Sequence, residues 1–192
     1  GGSRHLPPAL DERRAVRPYF EAQAALVARL LGEGHALAHG LLLAGRPGVG
    51  KGRMAQALAQ GLLCETPVAK RRDHLACGAC PGCHWFEAGN HPDFRRVERL
   101  VKDGKLAWEI SIDQVRELEE FAALSAFRDG ARVVLIDPAE TLSVPAANAL
   151  LKMLEEPGGR TWFILVTHRP DSLPATVRSR CRPVPVPAPE AP

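Results

Sequence analysis

Gly45-Arg46-Pro47-Gly48-Val49-Gly50-Lys51 fits the first seven positions of the phosphate-binding pattern G-x-x-x-x-G-K-[ST]. Glycines let backbone N–H groups wrap a phosphate, the start of the next helix adds positive potential, and the lysine ammonium reaches the outer phosphates. The eighth position, which supplies a hydroxyl to Mg²⁺, is Gly52. One metal ligand is missing. The other half of such a site is an acidic residue closing a strand, and Asp137 closes Val133-Val134-Leu135-Ile136. A glutamate commonly follows and orients the attacking water, but here the next residue is Pro138. Glu140, three residues on, need not point the same way. Two groups that catalyse hydrolysis are thus absent together. The expectation is a degenerate nucleotide site of Gly45, Gly48, Gly50, Lys51 and Asp137, with ATP and Mg²⁺ doubtful cofactors. A ligand-free glycine-rich turn is the plainer alternative.

Cysteine supplies the second chemistry. Of five cysteines, three crowd into Cys77-Gly-Ala-Cys80-Pro-Gly-Cys83. The odd count and close spacing read as metal ligands in a reducing compartment rather than as disulfides. Tetrahedral Zn²⁺ needs a fourth ligand, and Cys64, His74, His84, His91 and Cys181 are candidates. Cys64 matches the others in softness, and twelve intervening residues allow it to fold back to Cys77. His84 is cramped against Cys83. An iron–sulfur cluster is the rival, since it too takes four cysteines. The reading is a closed, structural zinc site. Lys70-Arg71-Arg72 and Arg95-Arg96 flank it and read as solvated faces, with DNA contact the alternative.

These groups need a scaffold. The chain has 192 residues, 45% hydrophobic and 24% charged, with net charge +3. That suits one globular domain and excludes disordered and collagen-like chains. No apolar run approaches the ~20 residues of a membrane span. Helical spacing links Phe20, Ala24, Val27 and Leu31, with Gly32 as C-cap, and then Met54, Leu58 and Leu62. Ser111 and Gln114 have capping-box spacing ahead of Ile112, Val115, Leu118 and Ala122. Residues 146–156 read as a helix stopped by Pro157-Gly158-Gly159. Residues 41–44, 133–136 and 162–166 read as buried strands. Strand–helix alternation with continuous apolar strands predicts an α/β fold, a parallel sheet with helices on both faces. Residues 64–105 break the rhythm and read as an insertion. Gly1-Gly2-Ser3 reads as a cloning remnant, and the proline-rich 183–192 as a linker towards a further domain.

Several segments occur together in order: residues 45–51, the four cysteines, Gly89-Asn90-His91-Pro92-Asp93, Asn148-Ala149-Leu150-Leu151-Lys152-Met153-Leu154-Glu155-Glu156-Pro157, and Arg178-Ser179-Arg180-Cys181. With these the chain resembles the AAA+ clamp-loader family of bacterial DNA polymerase III, in its delta-prime branch. The resemblance implies a RecA-like AAA+ P-loop module, with a five-stranded parallel sheet, over residues 16–185. Within it a zinc-binding insertion would span 64–105. A lead-in of 1–15 and a linker of 186–192 to missing lid and collar domains would flank the module. It implies Cys64, Cys77, Cys80 and Cys83 as zinc ligands and Arg180 as an arginine finger acting in trans on a neighbour's ATP. Thr167 and His168 fall at sensor-type positions. Expected partners are gamma/tau and delta subunits, with sliding clamp and primer-template DNA reached through the assembly, in the cytoplasm and without a membrane.

Gamma-type motors carry the hydroxyl and the acidic pair; Gly52 and Pro138 depart from them. The expectation is a subunit that assists ATP-dependent clamp loading without hydrolysing ATP or polymerising DNA itself. An active gamma/tau-like ATPase is the first alternative. The second, of another class, is a zinc-dependent DNA-binding module relying on Arg71 and Arg72.

Overall fold

Strands that are apolar on both sides must be covered on both faces, and this chain covers them with helices. The computed structural model describes residues 14–123 and 130–189. Gly1 to Ser3, most of the expected lead-in and the last three linker residues lie outside the described residues. The described elements, in chain order, begin with α1 (Glu21–Gly32), β1 (Gly40–Ala44), α2 (Lys51–Leu63), α3 (Pro81–Glu87) and β2 (Phe94–Val97). A small hairpin of β3 (Val101–Lys102) and β4 (Lys105–Leu106) precedes α4 (Ile112–Ala123). Then come β5 (Arg132–Ile136), α5 (Val144–Glu155), β6 (Thr161–Thr167), α6 (Ala175–Arg178) and β7 (Arg182–Pro185).

Among the described residues the main sheet has five strands in the order β2-β5-β6-β1-β7. Every pairing in it is parallel. Period-two alternation divides its apolar side chains between two cores. Leu41, Leu43, Val133, Leu135, Trp162, Ile164 and Val184 join α1 and α2 on one face. Leu42, Val134, Ile136, Phe163 and Leu165 join α4, α5 and α6 on the other. The expected doubly covered parallel sheet is the one observed.

Several boundaries differ from the sequence reading. Residues 94–97, inside the stretch read as an insertion, form β2 and pair with β5 along Phe94↔Val133 to Val97↔Ile136. Its Phe-Arg-Arg-Val pattern is too short and too charged to show as a buried run. The fifth helix starts at Val144, not Ala146, because the Ser143 side chain caps it and Pro145 sits in the first turn. Gly32 is the last residue of α1 rather than a cap beyond it. The capping box is present as expected: Ser111 Oγ accepts from Gln114 N at 3.3 Å, and Gln114 Oε1 accepts from Ser111 N at 3.0 Å.

The proline-rich segment begins as strand. Pro183 and Pro185 sit in β7 opposite Leu42 and Ala44. Val186 N donates to Ala44 O at 2.8 Å, so the residues between the prolines carry the ladder. Proline is tolerated on an edge strand because its missing N–H can face outward.

Gly89–Asp93 also finds its physical reason here. Asp93 and Arg132 are both buried, with Arg132 Nε 3.6 Å from Asp93 Oδ1. Arg132 also donates to Phe121 O, and its guanidinium lies over the Phe121 ring. His91 Nδ1 accepts from Asp93 N at 3.0 Å, and burial holds the His91 pKa below its usual value. Removing one partner of a buried pair leaves an uncompensated charge. Asp93→Ala is therefore expected to cost about 3–5 kcal/mol in urea unfolding, whereas a cost under about 1 kcal/mol would show that the pair is not needed.

Candidate functional site

A parallel sheet gathers the C-terminal ends of its strands on one side, where ligands of such folds bind. The loop after β1, Asp137 after β5 and Thr167 at the end of β6 all lie there. The structure thus brings together the residues that the sequence reading assigned to the nucleotide site. Gly48 and Gly50 have φ of 80° and 89°, so the tight turn onto α2 needs glycine. Gly45 N donates to Thr167 O at 3.3 Å and Arg169 N to Thr167 Oγ1 at 3.0 Å, tying the loop to the buried end of β6.

Lys51 is 9% exposed, and its Nζ donates to Arg46 O at 2.7 Å, within its own loop. Burial lowers its pKa, while the charges of Asp137 and Glu140 act the other way. The Asp137 carboxyl is raised, mainly by burial; Arg96 and Lys51 oppose the rise and Glu140 adds to it. Gly52 faces this carboxylate: a Cβ placed there would stand 3.3 Å from Asp137 Oδ2. A serine or threonine hydroxyl would lie beside Asp137, the arrangement that holds Mg²⁺, and glycine leaves that place without an oxygen.

Three participants were not legible as such in the sequence. Glu140 points into the site: its side chain is 9% exposed and Oε1 lies 2.6 Å from His168 Nδ1. Gln23, fully buried, donates from Nε2 to Val49 O at 2.6 Å and to Pro187 O at 3.0 Å. It clamps α1, the phosphate loop and the chain after β7 together. Gln23 shares the face of Val27, Leu30 and Leu31, and a polar residue in an apolar stripe was its one signal. The third is Arg71. Its guanidinium donates to Thr66 O at 2.6 Å, Gly61 O at 2.7 Å and Cys64 O at 3.0 Å. It satisfies carbonyls at the end of α2 and fixes the loop that follows, an occupation at odds with a free phosphate-binding arginine.

That loop carries Cys64 to Cys77, Cys80 and Cys83. All four are buried, and their sulfurs lie within 4.8 Å of one another. Cys77 Sγ is 4.0 Å from Cys83 Sγ, and Cys80 Sγ is 3.9 Å from Cys64 Sγ. Four sulfurs around one tetrahedral ion, each at ~2.3 Å, stand roughly 3.8 Å apart. The cluster has the dimensions of a one-ion site. His74, His84, His91 and Cys181, the other candidates, fall outside it. Backbone N–H groups of Glu65, Ala79, Cys80 and Cys83 donate to its sulfurs at 3.3–3.4 Å, and Thr66 Oγ1 to Cys77 Sγ at 3.2 Å. Such donors favour thiolates and orient them. Hydrogen bonds from the neighbouring thiols pull the Cys80 pKa far down, and the same coupling pushes Cys64 up to about 11.

Arg180 lies apart from both groups. It is exposed at the end of α6, while the next residue, Cys181, is buried in the core. A Cβ on Gly40 would stand 2.9 Å from Arg180 O, so β1 and this segment approach too closely for any other residue. The main chain at Arg180 is thereby seated against the sheet.

Residues 23–190 match the protein family described as "DNA polymerase III, delta subunit". The chain belongs to that family. It is 44% identical over 144 residues to the DNA polymerase III subunit delta' of Pseudomonas aeruginosa, covering 75% of this chain and 42% of that one. With the Escherichia coli subunit delta' it is 42% identical over 167 residues, covering 87% and 46%. A Salmonella typhimurium subunit tau is 35% identical over 143 residues, covering 74% and 21%. These two delta' relatives are more similar to the chain than that tau subunit is, and the chain spans under half of each. The fold resembles that of a gamma subunit-related protein from Thermotoga maritima, with a TM-score of 0.53 and 20% identity over 88% of this chain and 47% of that one. Among the described residues no helix is long and apolar enough to cross a membrane.

Cys80→Ser is expected to abolish metal binding at this cluster and lower the melting temperature, as read by elemental analysis and thermal unfolding. Retention of one metal equivalent at unchanged stability would remove Cys80 from the ligand set.

Proposed function

We propose that this chain is the AAA+ module of a delta-prime clamp-loader subunit of DNA polymerase III, working in the cytoplasm with gamma/tau and delta subunits. It would help the assembly open the sliding clamp and place it on primed DNA. The module itself would not hydrolyse ATP. The observation that carries this reading is Gly52 facing Asp137: position 52 offers the carboxylate's neighbourhood no side-chain hydroxyl. Lys51 Nζ agrees with this, because it donates to Arg46 O within its own loop. We take residues 16–185 as the module, with Val186 and Pro187 bonding back to it.

Arg180 would act instead on a neighbour's ATP. A guanidinium is planar and permanently charged, suited to charge developing on a transferred phosphoryl group. The four cysteines would hold Zn²⁺ as a structural ion. An ion held by four thiolates has no open position, so its chemistry is to cross-link the loop onto α2 and α3. An iron–sulfur cluster fits less well, because its cysteines are spread over two or four irons and so stand further apart than four ligands of one ion.

Two measurements test the division of labour. Calorimetric titration of the chain with Mg·ATP is expected to give no saturable heat up to millimolar nucleotide, while Gly52→Ser raises the affinity. Tight binding by the unaltered chain would favour the active-motor alternative and call for a turnover assay. Arg180→Ala is expected to leave melting unchanged yet slow turnover at the site it completes by about 10³-fold; an unchanged rate in the assembled loader would remove the finger assignment.

A further inference from the structure

Arg180 does not wave freely from the end of α6. Its Nη2 lies 2.9 Å from Glu155 Oε1, and its Nη1 donates to Ser179 Oγ at 3.0 Å and Thr176 O at 3.2 Å. One nitrogen is fastened to α6 and the other to the last residue of α5. Both terminal nitrogens are held, so the plane of the guanidinium is set.

Glu155 is an odd residue for its place. The C-terminal turn of a helix favours cations, because the unpaired carbonyls there carry negative potential. Here α5 ends on Glu155, and Glu156 caps it, placing two carboxylates where the helix disfavours even one. The ion pair offers no compensating stability to speak of, since both side chains are well exposed, at 38% and 45%. A locally unfavourable carboxylate, aimed at one guanidinium and adding little to the fold, is explained by what it does to that guanidinium. We propose that Glu155 is the positioning residue of Arg180, holding its guanidinium in the orientation that serves a neighbouring subunit's ATP. The inference rests on Arg180 being the finger.

The mechanism is pre-organisation. An arginine has four side-chain torsions to fix before it can meet a phosphoryl group, and a small misplacement at a reacting centre costs a large factor in rate. The seated main chain, from buried Cys181 and the close approach at Gly40, sets where the side chain starts. Glu155 sets where it ends. Its negative charge also steadies the guanidinium without consuming it, because five N–H donors leave others free for phosphate oxygens.

The test uses the assembled clamp loader containing the full-length subunit, with clamp and primed DNA. Steady-state ATP turnover is followed against ATP concentration for Arg180→Ala, Glu155→Ala, Glu155→Gln and the double variant Glu155→Ala with Arg180→Ala. Glu155→Ala is expected to lower kcat about tenfold to 10²-fold with KM for ATP and the melting temperature unchanged. Glu155→Gln, which keeps an acceptor oxygen at the same reach, restores part of the rate. Adding Glu155→Ala to Arg180→Ala changes nothing further. The proposal is overturned if Glu155→Ala runs at the unaltered rate, if it raises the rate as release of a restraint would, or if it costs the same factor when Arg180 is already gone. In those cases a slow Arg180→Ala keeps the finger assignment. Arg180→Ala at full rate removes the finger, and with it this proposal.

Discussion

Burial of the parallel sheet on both faces is the constraint from which the rest follows. With α1 and α2 on one side and α4, α5 and α6 on the other, neither face of β1, β5 or β6 is open to a ligand. Chemistry is confined to the strand ends, where the loop after β1, Asp137 and Thr167 converge because every strand runs the same way. The same constraint seats Arg180. The segment carrying it must thread from α6 into β7, and Gly40 and Cys181 draw it against the sheet on the way.

The cysteine cluster has a different origin. A loop of cysteines beyond the end of α2 cannot bury enough apolar area to hold itself, so polar groups do the work. Arg71 binds three carbonyls, Glu65 accepts from Gly82 N at 2.9 Å, and buried Gln60 donates from Nε2 to Cys83 O at 3.5 Å. The basic run at residues 70–72, which by charge alone suggested a nucleic-acid contact, is in its middle member an internal strut.

Much of this was legible in the residues. The central strands showed as short apolar runs, the glycine-rich loop as its spacing, and the four-cysteine group as one tight cluster with a thiol returning to it. What stayed hidden had physical reasons. β2 is an edge strand whose exposed arginines erase the apolar signal, and β7 hid its pairing behind prolines that read as linker. Gln23, Glu140 and Glu155 were illegible because their roles depend on what lies opposite them in space. Glu140 could be named from its distance to Asp137 in sequence, but only the fold turns it onto His168.

The alternating prolines of β7 have an effect on the molecule's neighbours. With Pro183 and Pro185 directed outward, that margin of the sheet lacks amide hydrogens at the positions where an incoming strand would need them. Lengthening of the sheet by another chain is disfavoured on that side, because half of the ladder an added strand would make has no donor. A neighbour beside β7 meets side chains and carbonyl oxygens at these positions rather than a row of amide donors.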